Sequence, residues 1–322
     1  MRAIRFETTG GPDVLQLVEI PTPTPGPGQI RLRHEAIGLN FIETYQRSGL
    51  YPVKLPAIPG GEAAGVVEAV GEGVSRFQVG DRAATHAAGG AYAEASLVHA
   101  ERAVKIPDGI ETRVAAAILL KGMTTEAFIR RTYPVKAGET VLVHAAVGGV
   151  GQIMTQWLKA IGAVVIATVG SAEKAAKARA LGADHVILYR EQDVAAEVRR
   201  ITGGQGVPVA YDSVGKDTFE GTLASLARCG LFVSFGNASG AVPPFAPGRL
   251  AAGGSLYLTR PTLFDYVTTP EELDASAALV FGMVASGQID IEIGQTFALA
   301  DARKAHEALE SRATVGASLL LP

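Results

Sequence analysis

The 322-residue chain is poor in sulfur and aromatic side chains, with one cysteine, four methionines, one tryptophan and only 6% aromatic residues. A lone thiol, Cys229, cannot close an internal disulfide. That excludes a disulfide-stapled scaffold and points to a reducing compartment, the cytoplasm. Set in "LARCGLF", Cys229 is expected to be a small buried apolar residue. The six histidines stand singly, without a second His or Cys at ligand spacing, so no metal site is expected. No window approaches the roughly 18 uninterrupted apolar residues of a membrane-crossing helix. The opening run "MRAIRFETTGGPDVLQL" lacks an apolar core followed by a small-residue cleavage site, so no signal peptide is expected. With a formal net charge of −3 and no block of like charge, there is no electrostatic footprint for nucleic acid or an anionic membrane. No G-x-S-x-G elbow is present, which leaves serine-hydrolase chemistry without support.

What the chain does have is apolar material, 48% of its residues, against 19% charged. That is enough for substantial cores, and the length makes two domains the expectation. In the first hundred or so residues, "LQLVEIP", "QIRLRHEAIG", "AAGVVEAVGEGV" and "AYAEASLVHAERAVKIP" are alternating or β-branched runs with Gly and Pro between them. They predict a compact antiparallel β domain. "PTPTPGPG" is too rich in proline for a helix or central strand and reads as a surface loop. From residue 111 the texture changes. "ETRVAAAILLKGMTTEAFIRRTY" predicts a helix stopped by Pro134, and then apolar strands and helices alternate from "TVLVHAA" to "GLFVSFG". That rhythm predicts a parallel sheet covered by helices on both faces. After "GSLYLTRP" come a helix near 271–286, another in "LADARKAHEALES" and the strand-like "ASLLLP". The simplest architecture is a β domain interrupted by an α/β domain, with the C-terminal segment returning to the first.

Between the first α/β strand and its helix, Ala145, Gly148 and Gly151 fall in the spacing A-x-x-G-x-x-G. In such a turn one glycine lets the backbone approach a pyrophosphate and another lets helix and strand pack closely. The helix start at Gly148, Gly149, Val150 and Gly151 then offers N–H groups and a positive dipole end to phosphate. His144, at the end of that strand, reads as structural.

A second stretch, "GGEAAGVVEAVGEGV" at residues 60–74, together with "HAAVGGVG", resembles the medium-chain dehydrogenase/reductase superfamily. Zinc alcohol dehydrogenases of that superfamily carry Gly-His-Glu where this chain has Gly60-Gly61-Glu62, so a ligand histidine is missing. "GLNFIETYQRSGLYP", "LKGMTTEA", "TVGSAEK", "YDSVG", "SFGNASG", "LYLTRP" and "ESRATVG" occur in the order found in the zinc-free NADPH:quinone oxidoreductases, the zeta-crystallin-like family. The resemblance covers essentially the whole chain. It implies a GroES-like β-rich catalytic domain in two parts, residues 1–121 and 263–322, around a Rossmann doubly wound domain at 122–262 with NADPH in the cleft between them. Matched residue by residue, it implies that Lys174 and Tyr189 hold the adenosine phosphate. Ser213, Phe235, Gly236 and Asn237 would line the coenzyme groove, and Arg312 would lie near the coenzyme. Asn40, Tyr45, Tyr51, Thr124 and Arg260 would stand near the nicotinamide and substrate.

The residues themselves speak to the choice of coenzyme. NAD-binding folds place a carboxylate about 20 residues past the glycines, on the ribose hydroxyls. Here "ATVGSAEK" offers Thr168, Val169, Gly170 and Ser171 instead. Gly170 leaves room for a ribose phosphate, Ser171 caps a helix and Lys174 follows one turn in, while Glu173 is the contrary charge. The expected activity is hydride transfer from NADPH to a quinone without zinc. Two readings stand beside it: a reductase of α,β-unsaturated aldehydes or ketones, and a non-catalytic NADPH-binding or RNA-binding protein. "GSLYLTR" is expected to form a sheet edge through which the chain dimerises.

Overall fold

The computed structural model describes residues 1–312 and 314–322; the "ESRATVG" motif includes Ala313, which lies outside the described residues. In chain order the first elements are β1 (Arg2–Arg5), β2 (Gln16–Glu19), β3 (Gln29–Leu39), α1 (Phe41–Ser48), β4 (Glu62–Val70), β5 (Arg82–Thr85), β6 (Ala95–His99), β7 (Ala103–Lys105) and α2 (Thr112–Glu126). The alternating series follows as β8 (Thr140–Val143), α3 (Gly149–Ile161), β9 (Val164–Val169), α4 (Ala172–Ala180), β10 (His185–Leu188) and α5 (Val194–Ile201). It continues through β11 (Val207–Asp212), α6 (Phe219–Ser225), β12 (Leu226–Ser234), α7 (Gly248–Ala252) and β13 (Tyr257–Thr259). The chain ends with α8 (Pro270–Ala285), β14 (Ile293–Ala298), α9 (Ala302–Glu310) and β15 (Ala317–Leu321).

Two compact units result. The first comprises Met1–Met123, Val267–Gly287 and Ile291–Pro322, and the second Thr124–Tyr266 with Gln288–Asp290. In the first, β14, β15, β3, β4, β5 and β7 are neighbours in one sheet, and β6 also pairs with β3. The core holds Ile4, Phe6, Ile30, Leu32, Val67 and Tyr92 together with Leu299, Leu309 and Leu320. The last fifty residues therefore supply part of the same core as the first hundred.

In the second unit six parallel strands lie in the order β10-β9-β8-β11-β12-β13. Numbered within the unit this is 3-2-1-4-5-6, the order of a doubly wound dinucleotide-binding sheet. β8 and β9 are apolar almost throughout and buried from Val141 to Val143 and from Val165 to Val169, as strands covered on both faces require. Leu142, Ile166, Ile187, Phe219, Phe232 and Leu256 pack together in its core.

Three features depart from the expectations. The first is α1, which the strand-rich texture of the N-terminal region conceals. It starts at Asn40, whose backbone N–H donates to the Glu43 carboxylate at 2.8 Å, and it stops at Gly49 with φ 85°. The second is the end of the helix expected to run to Tyr133. Ala127–Thr132 form a wider turn in which Tyr133 N–H donates to the Phe128 carbonyl, five residues back, before Pro134 ends the run. The third is Cys229, which is exposed and not a buried apolar residue. The pairing of β12 with β11 jumps from Val207–Leu226 to Val209–Leu231, so residues 227–230 bulge out of the ladder. Cys229 sits in that bulge at φ 60°, with its side chain facing solvent.

Candidate functional site: the carboxyl ends of the parallel strands

The turn after β8 brings the backbone of Ala145–Gly148 against the start of α3. Ala145 itself is left-handed, at φ 51°. A Cβ on Gly151 would lie 2.2 Å from the Ala145 carbonyl oxygen and 2.8 Å from Ala146 Cα. Both obstacles are main chain and cannot swing away, so only glycine lets the helix seat on the turn. Gly148 occupies the position before α3, and Gly149, Val150 and Gly151 form its first turn. The N–H groups of Gly149, Val150 and Gly151 precede the first intrahelical donor, Gln152, and carry the positive end of the helix dipole. Gly151→Ala is expected to lower stability by about 3 kcal/mol through overpacking and to weaken dinucleotide binding with it. Thermal melting and a coenzyme titration measure the two effects.

β9 delivers Gly170 and Ser171. The Ser171 hydroxyl accepts from the Lys174 N–H at 3.3 Å, which caps α4. Tyr189 extends the line of β10, its N–H donating to the Val169 carbonyl at 3.2 Å. The space beside Gly170 is not empty. A Cβ there would meet the Tyr189 hydroxyl at 2.9 Å and Arg190 Nε at 3.4 Å. Gly170 thus admits the tyrosine and arginine side chains to this corner. The Arg190 guanidinium lies 6.0 Å from the Tyr189 ring centre. The Lys174 ammonium is pushed below its ordinary range, first by partial burial and then by the positive charges of Arg190 and Lys177, with Glu173 opposing. Cations gather here around two neutral hydroxyls, an arrangement whose chemistry suits an anion. Lys174, Ser171 and Tyr189, named from the sequence, come together here, and the structure adds Arg190 beside them. The signal was its place next to Tyr189, where a strand end turns both side chains toward the preceding strand.

β11 and β12 complete the row. Phe235 N–H donates to the Asp212 carbonyl at 2.8 Å, and a Cβ on Gly236 would lie 2.1 Å from the Ser213 carbonyl oxygen. Ser213 and Gly236 are therefore in backbone contact, with Phe235 and Asn237 on either side of Gly236. Arg260, just past β13, donates to the Gly236 carbonyl at 2.9 Å and to Ser234 Oγ at 3.1 Å. Beneath them Asp212 is wholly buried. Its Oδ1 accepts from Val214 N–H (2.6 Å) and Gly215 N–H (3.2 Å), and its Oδ2 from Thr218 (2.6 Å) and Thr222 (3.1 Å). His144 bridges Thr168 and Thr222 at 2.9 Å each, so burial holds it neutral and its role is to tie β8, β9 and α6 together. The candidate residues of this unit thus stand at the carboxyl ends of β8, β9, β10, β11, β12 and β13. Ligands of open α/β sheets bind at that rim.

In the first unit, Asn40, Tyr45 and Tyr51 come together around α1. Tyr51 N–H donates to the Tyr45 carbonyl at 3.0 Å, and the two rings meet edge to face at 5.3 Å. Tyr45 is buried, whereas Asn40 and Tyr51 are half-buried. Below them lie groups that sequence reasoning missed. Glu62, wholly buried, pairs with Lys121 at 2.7 Å and accepts from Asn40 Nδ2 at 3.1 Å. Glu43, equally buried, accepts from Asn40 N–H and from Gly61 N–H. Burial pushes the Glu43 carboxyl up to about 7, against the pull of its backbone donors and Lys121. Arg312 ends α9 in a left-handed conformation, φ 58°, with its N–H donating to the Leu309 carbonyl. Thr124, within α2, is half-buried and is the first residue of the second unit. Among the described residues, no group of three or more His, Cys, Asp or Glu is placed to hold a metal ion.

Residues 26–108 match the alcohol dehydrogenase GroES-like domain and residues 149–277 the zinc-binding dehydrogenase model. The chain is 52% identical to a quinone oxidoreductase of Pseudomonas aeruginosa, over all of this chain and 99% of the relative. It belongs to the quinone oxidoreductase family. The crystal structure of Escherichia coli quinone oxidoreductase complexed with NADPH superposes with a TM-score of 0.99 at 48% identity, each chain covered in full. A 2-haloacrylate reductase of a Burkholderia species is 43% identical over 97% of this chain and 96% of its own. Within this zeta-crystallin-like branch of the medium-chain dehydrogenase/reductases, the GroES-like and Rossmann architecture read from the sequence holds. No helix among the described residues is long and apolar enough to cross a membrane.

Proposed function

We propose that the chain is an NADPH:quinone oxidoreductase that works without zinc. The observation that carries this reading is the cationic corner at the end of β9, where Lys174 and Arg190 stand with Tyr189 and Ser171 and no carboxylate ends the strand. The residues fit NADPH on structural grounds. Gly151 lets α3 seat on the turn after β8 and Gly236 lets the end of β12 close on Ser213, which is the tight strand-end packing a dinucleotide fold needs, and the corner offers donors to a ribose phosphate. Gly148–Gly151 would hold the pyrophosphate, Ser171, Lys174, Tyr189 and Arg190 the ribose phosphate, and Ser213, Phe235, Gly236 and Asn237 the remainder. When bound, NADPH supplies the hydride. In this reading residues 122–262 take the coenzyme and the two flanking parts, 1–121 and 263–322, take the acceptor.

The work left to the protein is orientation and one hydrogen bond. A quinone oxygen gaining hydride equivalents becomes a phenolate, whose conjugate acid has a pKa near that of tyrosine, about 10. It needs far less stabilisation than the alkoxide formed from an aldehyde, so a metal is dispensable. Tyr45, Tyr51 or a water held by Asn40 donates to the developing oxyanion. Tyr45→Phe with Tyr51→Phe is expected to lower kcat/KM for a small para-quinone by about 10- to 100-fold. An unchanged value in the double variant removes the tyrosines from the mechanism.

The similarity to a 2-haloacrylate reductase favours a second acceptor class, activated alkenes. NADPH oxidation measured in parallel with a para-quinone and a 2-alkenal, before and after dialysis against a chelator, tests the whole reading. We expect quinone turnover to exceed alkenal turnover and to survive the chelator. Tight NADPH binding without turnover of any acceptor would replace the reading with a non-catalytic one.

We also propose a homodimer in the cytoplasm. β13 is the last strand of its sheet and its Tyr257 is 62% exposed, which leaves an open edge for a second copy. Sedimentation should give twice the chain mass of 33.4 kDa at micromolar concentration, and Tyr257→Lys should reduce it toward the monomer. A monomer in the unmodified protein rules the pairing out. The lone exposed Cys229 suits a reducing compartment.

A further inference from the structure

We propose that Glu62 is a positioning residue for the reducing site, its carboxylate paired with Lys121 and fixing the carboxamide of Asn40 so that the oxygen end is left to serve the acceptor. The inference rests on the reading above only in placing Asn40 beside the acceptor. Its structural half is independent of that.

Glu62 opens β4 and is wholly enclosed. Its Oε2 takes two donors, Lys121 Nζ at 2.7 Å and Asn40 Nδ2 at 3.1 Å, and its Oε1 accepts from the Leu120 N–H at 2.8 Å. The strand β4, the helix α2 and the start of α1 therefore meet on one side chain. The space it occupies exists because residue 38 is glycine. A Cβ there would lie 2.2 Å from Oε2 and 2.6 Å from the Ala116 carbonyl oxygen. Stability is a poor reason to bury these two charges, because an apolar pair of similar volume generally serves as well or better.

Asn40 supplies a different reason. A carboxylate only accepts hydrogen bonds, so the nitrogen end of the carboxamide must face Glu62, with the Gly38 carbonyl at 3.4 Å as its other acceptor. The oxygen end is turned away from Glu62 toward the start of α1, where it faces the Glu43 N–H in the capping box. Its second lone pair can accept one proton of a water whose other proton reaches the acceptor oxygen. Glu43 fixes the main chain of the same residue through the Asn40 N–H, and it also holds Gly61. Side chain and backbone of Asn40 are thus each anchored by a buried carboxylate, and Lys121 lies within electrostatic reach of both.

The test is a pair of variants, Glu62→Met with Lys121→Met together, and Glu62→Gln alone. The double variant removes the charges and keeps the volume. A purely structural role predicts a stable, active protein. The positioning role predicts a folded, slow one, with kcat for a para-quinone down by about 10- to 100-fold, NADPH affinity within twofold of the parent and a single cooperative melting transition, lowered by what the Leu120 N–H loses in acceptor. Glu62→Gln is close to isosteric but keeps one acceptor oxygen where the carboxylate uses two, so either the Asn40–Lys121 side or the Leu120 N–H meets an NH2 and the cluster must shift, and kcat should fall by about 10-fold. If the double variant does not fold, this variant decides alone. Turnover within twofold of the parent in the folded variants overturns the inference. The side-chain amide signal of Asn40 in the NMR spectrum, assigned by its loss in Asn40→Asp, reads the same contact without turnover. It should shift in each folded variant, and an unmoved signal overturns the inference even where the parent proves inactive on quinones.

Discussion

Lys174→Ala should weaken NADPH binding by about 10- to 150-fold, the worth of one charge-assisted hydrogen bond of about 1.5–3 kcal/mol. NADH, which has no ribose phosphate to lose, should bind within twofold of its affinity for the parent. The geometry extends this prediction. Lys174 is held below its ordinary range by burial and by Arg190 and Lys177, so the corner is already strained by its own positive charge before any anion arrives. A phosphate relieves that repulsion as well as accepting hydrogen bonds. Removing Arg190 as well should therefore carry the loss beyond about 100-fold. Gly170→Asp should act on the other side of the balance. A side chain there meets the Tyr189 hydroxyl at 2.9 Å, so the carboxylate displaces Tyr189 and repels the phosphate, shifting preference toward NADH. Fluorescence titration with both coenzymes measures all three variants. Equal affinities of the parent for NADH and NADPH would refute the argument before any variant was made.

The two halves of the molecule were unequally legible. The parallel sheet announced itself because β8, β9 and β11 are apolar on both faces and separated by helices, a pattern few other arrangements satisfy. The glycine turn was legible because Gly151 meets a backbone carbonyl, an obstacle that no other residue avoids. In the first unit the signals were local and weak. α1 has eight residues, too few for its period to stand out among strands, and only the Asn40-x-x-Glu43 box marked its start. Nothing in the sequence marks Glu43, Glu62 and Lys121 as enclosed, since charged residues are rarely enclosed without partners. Their partners lie up to 59 positions away, and nothing in the linear order pairs them. Cys229 was misread for the converse reason: an apolar neighbourhood in sequence hid a bulge that only the register of β11 against β12 discloses.

Acid should destabilise the protein before most of its carboxylates are neutralised. His34, His86 and His306 are enclosed, and burial pushes His34 and His86 down to about 4 and His306, beside Arg47, to about 3. His306 accepts from Arg47 at Nδ1 and contacts the Tyr92 hydroxyl through Nε2, so no site remains for an added proton. His34 is likewise committed, to the Ala93 carbonyl and to Ser96. In the unfolded chain each titrates near 6.5. Between pH 6.5 and about 4 the unfolded state therefore binds more protons, and stability falls as pH falls. Each histidine contributes about 2–3 kcal/mol to that loss by pH 4.5. Glu43 has the opposite sign. With its carboxyl raised to about 7, the folded state takes up a proton first, and stability rises by about 3 kcal/mol as pH falls from 7 to 4.5. The histidines outweigh it. Urea unfolding should give a stability about 4 kcal/mol lower at pH 4.5 than at pH 7, a large part of the 5–15 kcal/mol available to a typical domain. His34→Asn, whose amide can still reach the Ala93 carbonyl, should shrink the difference by about 2 kcal/mol. Equal stability at the two pH values, or a difference that His34→Asn leaves untouched, shows that these histidines do not govern the acid limb.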